Sequence, residues 1–132
     1  MAGNWSGSAL TMGLDGQKTS VELSQEVMFM IDSTALLIDR QGSLYGQIIH
    51  NELAIITYNK QDSAYTFHSF LASGESGIFK AVLHVNRFYW YPYDNIRYAI
   101  TINEKGQWSE IGQMKKEDNA IQFIEIIMDK MQ

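Results

Sequence analysis

Tyr89, Tyr91 and Tyr93 alternate along one short run, Tyr98 follows, and Trp108 and Glu110 stand two residues apart. Alternate residues of a strand share a face. Asp94-Asn95 has good chemistry for a two-residue hairpin turn, which pairs Tyr93 with Ile96, Tyr91 with Tyr98 and Tyr89 with Ile100. A loop over 103–107 then pairs Ile100 with Glu110, Tyr98 with Gly112 and Ile96 with Met114. This register gathers the tyrosines, Trp108 and Glu110 on one face. Inside a barrel, such a face supplies rings for contact, and hydroxyls and one carboxylate for orientation. Small-molecule pockets are built this way. Tyr91, Tyr98, Glu110, Tyr89 and Trp108 are therefore the candidate ligand-binding residues. The competing reading makes the tyrosines wall residues with wet hydroxyls. An interior Glu110 is expected to be paired or protonated, because a lone buried charge is costly.

On the opposite face of the same hairpin lie Phe88, Trp90, Arg97, Ala99 and Thr101. There Arg97 either covers Trp90 as a surface cation–π contact or belongs to a sticky patch for a partner or a second copy. A slip of one residue would exchange the two faces and bring Trp90 inside.

The histidines are His50, His68 and His84. Pairing 65–71 with 78–85 around a loop centred near residue 75 gives a core face of Tyr65, Phe67, Ser69, Leu71, Phe79, Ala81, Leu83 and Val85. Thr66, His68 and Phe70 share the wetter face with Ile78, Lys80, Val82 and His84. His68 and His84 become diagonal neighbours, roughly 7–8 Å apart. Zinc asks for three or four ligands, His50 lies on another strand, and cysteine is absent. The expectation is no metal, no haem and no other cofactor. No Gly-x-Ser-x-Gly, phosphate loop, His-x-His or His-Glu-x-x-His occurs, and Gly74-Glu75-Ser76-Gly77 reads as a hairpin loop.

The elements that must position these residues are strands. Runs of β-forming residues recur about every ten residues with turn residues between them, the spacing of a meander sandwich or barrel. They cover 5–12, 18–31, 34–41, 46–58, 63–71, 78–86, 87–93, 96–102, 108–115 and 121–130. The second run has the clearest period of two: Val21, Leu23, Val27, Phe29 and Ile31 point one way, with Gln25 the polar exception. In the last run Ile121, Ile124, Met128 and Met131 also fit a helix, but Phe123, Ile124, Ile126 and Ile127 favour a strand. The fold class expected is all-β: a single antiparallel meander β-barrel of about ten strands spanning 1–132.

The chain of 132 residues has the length of a single domain. A net charge of -5, with Arg40, Arg87 and Arg97 the only arginines and Lys115-Lys116 the only basic pair, argues against nucleic acid as partner. No apolar run is long enough for a membrane span. The expected compartment is the cytoplasm, or a secreted or periplasmic one where a removed signal peptide precedes Met1.

Gly3-Asn4-Trp5-Ser6-Gly7 opens the chain, and ten strand runs follow without a helix between them. This resembles the calycin group of lipocalins, fatty-acid-binding proteins and their bacterial relatives. Gly106-Gln107-Trp108-Ser109-Glu110 with Lys116-Glu117-Asp118-Asn119 is similar to the tail of an uncharacterised bacterial lipocalin-like family. The resemblance implies a lipocalin-like barrel that holds a small apolar ligand, with Trp5 closing one end. Lipocalins stack an arginine of the last strand over that tryptophan; here only Lys130 is placed to do so. Haem-binding relatives use a histidine near the C-terminus, and none follows His84. Three function classes result. The leading one is non-enzymatic binding of a small apolar or aromatic molecule. The others are a protein–protein or self-association module with a filled barrel, such as a homodimer, and a small isomerase-type enzyme using Glu110 and a tyrosine.

Overall fold

The computed structural model describes residues 1–13, 15–32 and 34–132. Its strands are β1 (Gly3–Met12), β2 (Lys18–Met30), β3 (Ala35–Leu44), β4 (Gln47–Asn59), β5 (Ala64–Leu71), β6 (Ser76–His84), β7 (Arg87–Tyr93), β8 (Ile96–Ile102), β9 (Trp108–Lys116) and β10 (Asn119–Lys130). None of the described residues is helical. Each strand pairs antiparallel with the next, and β1 also pairs β10, so the meander closes into a barrel. Closure leaves no free edge to attract another chain. The strand reading of the last run holds: β10 turns Ile124, Ile126 and Met128 inward and Glu125 and Asp129 outward.

An up-and-down order puts both termini and the β2–β3, β4–β5, β6–β7 and β8–β9 turns at one end. The other turns gather at the opposite end. Period-two alternation sends Trp5, Val27, Ile38, Ile56, Phe67, Ile100, Trp108 and Met128 into the lumen. Phe29 and Ile31, expected to continue the inner face of β2, are 55% and 76% exposed because the strand has by then reached the barrel's rim. Leu83 and Val85, expected in the core, are exposed at the same end.

The β1–β10 seam depends on Gly7. A Cβ there would lie 2.0 Å from the Ile127 carbonyl oxygen and 2.6 Å from Met128 Cα. The backbones approach more closely than any side chain permits.

Two registers differ from expectation. Between Trp90 and Tyr93 the β7–β8 ladder shifts by one residue: Tyr93 pairs with Ile96 as expected, but Trp90 pairs with Tyr98 and Phe88 with Ile100. Pro92 has no N–H to give the ladder, and prolines within sheets gather at such bulges. The bulge exchanges the two faces of β7. Phe88 and Trp90 are interior and buried, while Tyr91 and Tyr93 are 38% and 67% exposed. In β5–β6 a tight loop, held by Leu71 N–H to the Glu75 carbonyl and Gly74 N–H to the Leu71 carbonyl, centres the hairpin two residues early. Tyr65 pairs with Ala81 and His68 with Ile78. The faces survive because the parity is unchanged. His68 and His84 are not diagonal neighbours, since His68 pairs with Ile78, six residues before His84 on β6.

Candidate functional site

β3 turns Leu36, Ile38 and Arg40 inward, so its apolar period carries a guanidinium into the lumen. β9 does the same with Trp108 and Glu110. The two side chains meet across the barrel. Arg40 Nη2 donates to Glu110 Oε1 at 2.8 Å and Nη1 to Oε2 at 3.2 Å, a fork geometry. Trp108 Nε1 donates to Glu110 Oε1 at 3.1 Å, and Arg40 Nε donates to Gln25 Oε1 at 2.8 Å. Arg40 is 8% and Glu110 3% exposed, which makes this a desolvated strut between strands that share no ladder.

Glu52 of β4 stands beside the strut. Ser69 Oγ donates to its Oε2 at 2.8 Å, and His50 Nε2 lies 3.3 Å from its Oε1. Burial alone would raise the Glu52 pKa. The His50 hydrogen bond, the Arg40 charge and the Ser69 hydrogen bond outweigh it and hold the carboxyl below its usual value. Burial likewise works against the charged form of Arg40, but Glu110 and Glu52 keep the guanidinium above its usual value. Burial, followed by the fields of Glu110 and Glu52, pushes the Tyr98 phenol up to about 12.

Aromatic rings fill the level of the strut. Trp90 stacks on Phe67 at 3.9 Å and on Tyr98 at 4.7 Å between centroids. Tyr98 has room because it faces Gly112, where a Cβ would lie 2.9 Å from its ring. Toward the end that carries the termini is an apolar cavity of about 700 Å³, walled by Leu36, Ile56, Tyr65, Phe88, Ile100 and Trp108. Toward the other end is a smaller chamber of about 300 Å³, lined by Leu23, Arg40, Glu52, Trp90, Tyr98, Glu110, Ile124 and Ile126.

No family model and no curated protein matches the chain.

The expected site residues divide. Glu110 is interior and paired with Arg40. Tyr98 and Trp108 are interior too, one in each chamber. Tyr89 and Tyr91 do not join them, because the bulge at Tyr91-Pro92 turns both outward. Tyr89, and not Trp90, lies under Arg97, with the guanidinium carbon 5.1 Å from its ring centroid. Trp5 is 2% exposed, meets Trp108 edge to face at 5.7 Å, and has the Lys130 amine 5.9 Å from its ring centroid.

Arg40 and Glu52 were missed, and Trp90 was foreseen inside only for a register slipped by one residue. The first two carry a readable signal, since each is a charged residue in phase with a buried set: Ile38 before Arg40, and Ala54 and Ile56 after Glu52. Gln25, the polar exception in β2, is the residue that orients Arg40.

Proposed function

We propose that the protein binds a small apolar or aromatic molecule inside its barrel. The observation that carries this reading is the apolar cavity of about 700 Å³. That volume lies within the usual range for small-molecule pockets. Eight strands enclose a lumen that side chains just fill, and ten enclose more. Ala9, Ala54 and Ala81 are buried in the core, and their small side chains add to the space. Trp108 contributes its ring to the cavity wall and is fixed there by its hydrogen bond to Glu110. Tyr98 and Glu110 serve the second chamber, whose polar groups orient rather than surround.

The ten-stranded closed meander is compatible with a calycin architecture, and the buried Trp5 at the end with the termini suits that comparison. This is support by analogy of fold. Binding is favoured over acid–base catalysis because Glu110 is tied by Arg40 and Trp108. Tyr98 keeps its proton throughout the neutral range, whereas a general acid or base works best near the operating pH.

The test is titration with the neutral fluorescent probe N-phenyl-1-naphthylamine. Saturable binding at one probe per chain is expected. Ile56→Trp, which fills the cavity, should abolish it while leaving the far-ultraviolet circular dichroism spectrum of a β-protein. Overpacking of this kind costs about 1–3 kcal/mol, so the variant is compared below its own melting temperature. Absence of saturable binding, or equal binding by Ile56→Trp, rejects the proposal.

A further inference from the structure

The hydrogen-bond inventory of the second chamber is uneven. Its acceptors are engaged: Glu110 receives Arg40 and Trp108, and Glu52 receives Ser69 and lies against His50. Its donors are not. Trp90 is 8% exposed and its Nε1 has no partner. The Tyr98 hydroxyl takes no part in the side-chain hydrogen bonds of the described residues, although Tyr98 lines the chamber. Arg40 keeps further N–H groups beyond those given to Gln25 and Glu110. Of these, Trp90 Nε1 is a buried donor without a partner, and such a donor carries its full desolvation penalty. The chamber therefore calls for an acceptor.

Charge narrows the choice. Two carboxylates, Glu52 and Glu110, face the single Arg40 guanidinium in this chamber. Among Glu52, Glu110 and Arg40 the surplus is one negative charge. An anionic acceptor would be desolvated into a field of its own sign. A cation offers donors where donors are already in excess, and Arg40 stands in its way. An uncharged acceptor meets both conditions.

We propose that this chamber binds a small uncharged molecule bearing a carbonyl-type oxygen, such as a ketone, amide or lactone. The oxygen accepts from the Tyr98 hydroxyl and from Trp90 Nε1, both residues lining the chamber. The apolar body lies on Leu23, Ile124 and Ile126. A chamber of about 300 Å³ admits a single ring with short substituents. This site is separate from the apolar cavity, and either can fail without the other.

Cyclohexanone, cyclohexylammonium, cyclohexanecarboxylate and cyclohexane share one skeleton and differ only in the group under test. The readout is the set of indole N–H signals from the 3 tryptophans in nitrogen-15 NMR. Trp90→Phe identifies the signal of Trp90. If that variant does not fold, contacts from the stacked Phe67 and Tyr98 rings identify it instead. Cyclohexanone should move the Trp90 signal downfield and saturably. The charged probes should bind at least about tenfold more weakly, and Tyr98→Phe should weaken cyclohexanone by about tenfold, the loss of one hydrogen bond. Equal binding of carboxylate or ammonium overturns the proposal. So does an equal shift with cyclohexane, which would mark a merely apolar site. A shift at Trp108 alone places the ketone in the apolar cavity, overturning this inference while supporting that one. Binding of N-phenyl-1-naphthylamine with no cyclohexanone response at Trp90 has the same meaning.

Discussion

Arg40 and Glu110 bring opposite charges together in a lumen where each alone would be stranded. A buried ion pair returns little net stability against the desolvation of its members, but removing one member leaves an uncompensated charge. Arg40→Met and Glu110→Gln are each expected to cost about 3–5 kcal/mol in denaturant unfolding. Arg40→Met combined with Glu110→Leu should cost less than the sum of two such losses, since neither member of the pair is left facing a missing partner and only the Glu52 carboxylate, held by Ser69 and His50, remains. Trp108 Nε1 then lacks its acceptor, which keeps the double variant about 1–3 kcal/mol below the parent. Strictly additive losses would mean the pair is not coupled. Tyr98 adds a dependence on pH. Its folded pKa of about 12 exceeds the ordinary 10.0, so between these values the unfolded chain binds fewer protons than the native one. Stability must fall as pH rises through that window. Tyr98→Phe should show a shallower alkaline loss than the parent in melts taken from pH 9 upward; identical slopes would refute the shift. Glu110 was legible in part: the β8–β9 hairpin put it on the face of Tyr98, as the structure has it, while the interior position of that face was a condition of the reading. Its partner was not, because β3 and β9 share no ladder and hairpin pairing reports only neighbours along a sheet.

Hairpin loops and alternation made the strands readable almost completely, including β10. The departures come from two backbone details. Pro92 marks a bulge that exchanges the faces of β7, and a single proline in a strand-like run does not say where the extra residue goes. The tight 72–75 loop moved the β5–β6 pairing by an even step, so the core face was right while the histidine neighbourhood was wrong. Glycines at crossings were equally silent, since only coordinates show what a Cβ would meet. Gly7 is the sharpest case. Gly7→Ala drives a methyl into the Ile127 carbonyl and the Met128 backbone, neither of which can rotate aside. The substitution should destabilise by about 1–3 kcal/mol or more. Hydrogen exchange should rise first along the β1–β10 rungs from Trp5–Lys130 to Thr11–Ile124. Unchanged melting, or faster exchange confined to β4–β5, would show that the seam can widen freely.

A closed barrel has no edge strand from which to fray, so its opening must begin where the ladder is thinnest. β1–β2 is paired continuously from Gly3–Val27 to Met12–Lys18. β6–β7 is paired only from Ala81–Trp90 to His84–Arg87, and β7–β8 is then interrupted by the bulge. The β6–β7 turn also carries strain. Val85 is β-branched yet sits at φ 57, a conformation such residues rarely adopt. The weak corner and the apolar cavity coincide, because Leu83, Val85, Asn86 and Phe88 all line it. Local openings occur where stability is lowest, and a ligand that binds only the closed form suppresses them by mass action. Among the strand amides, those of β7 should therefore exchange fastest, and those in the middle of β1 and β2 slowest. Saturating N-phenyl-1-naphthylamine should slow β6 and β7 more than β1. Protection of all strands to the same degree would mean that only global unfolding is being suppressed. Protection that spares β6 and β7 would place the probe outside the cavity that these strands wall.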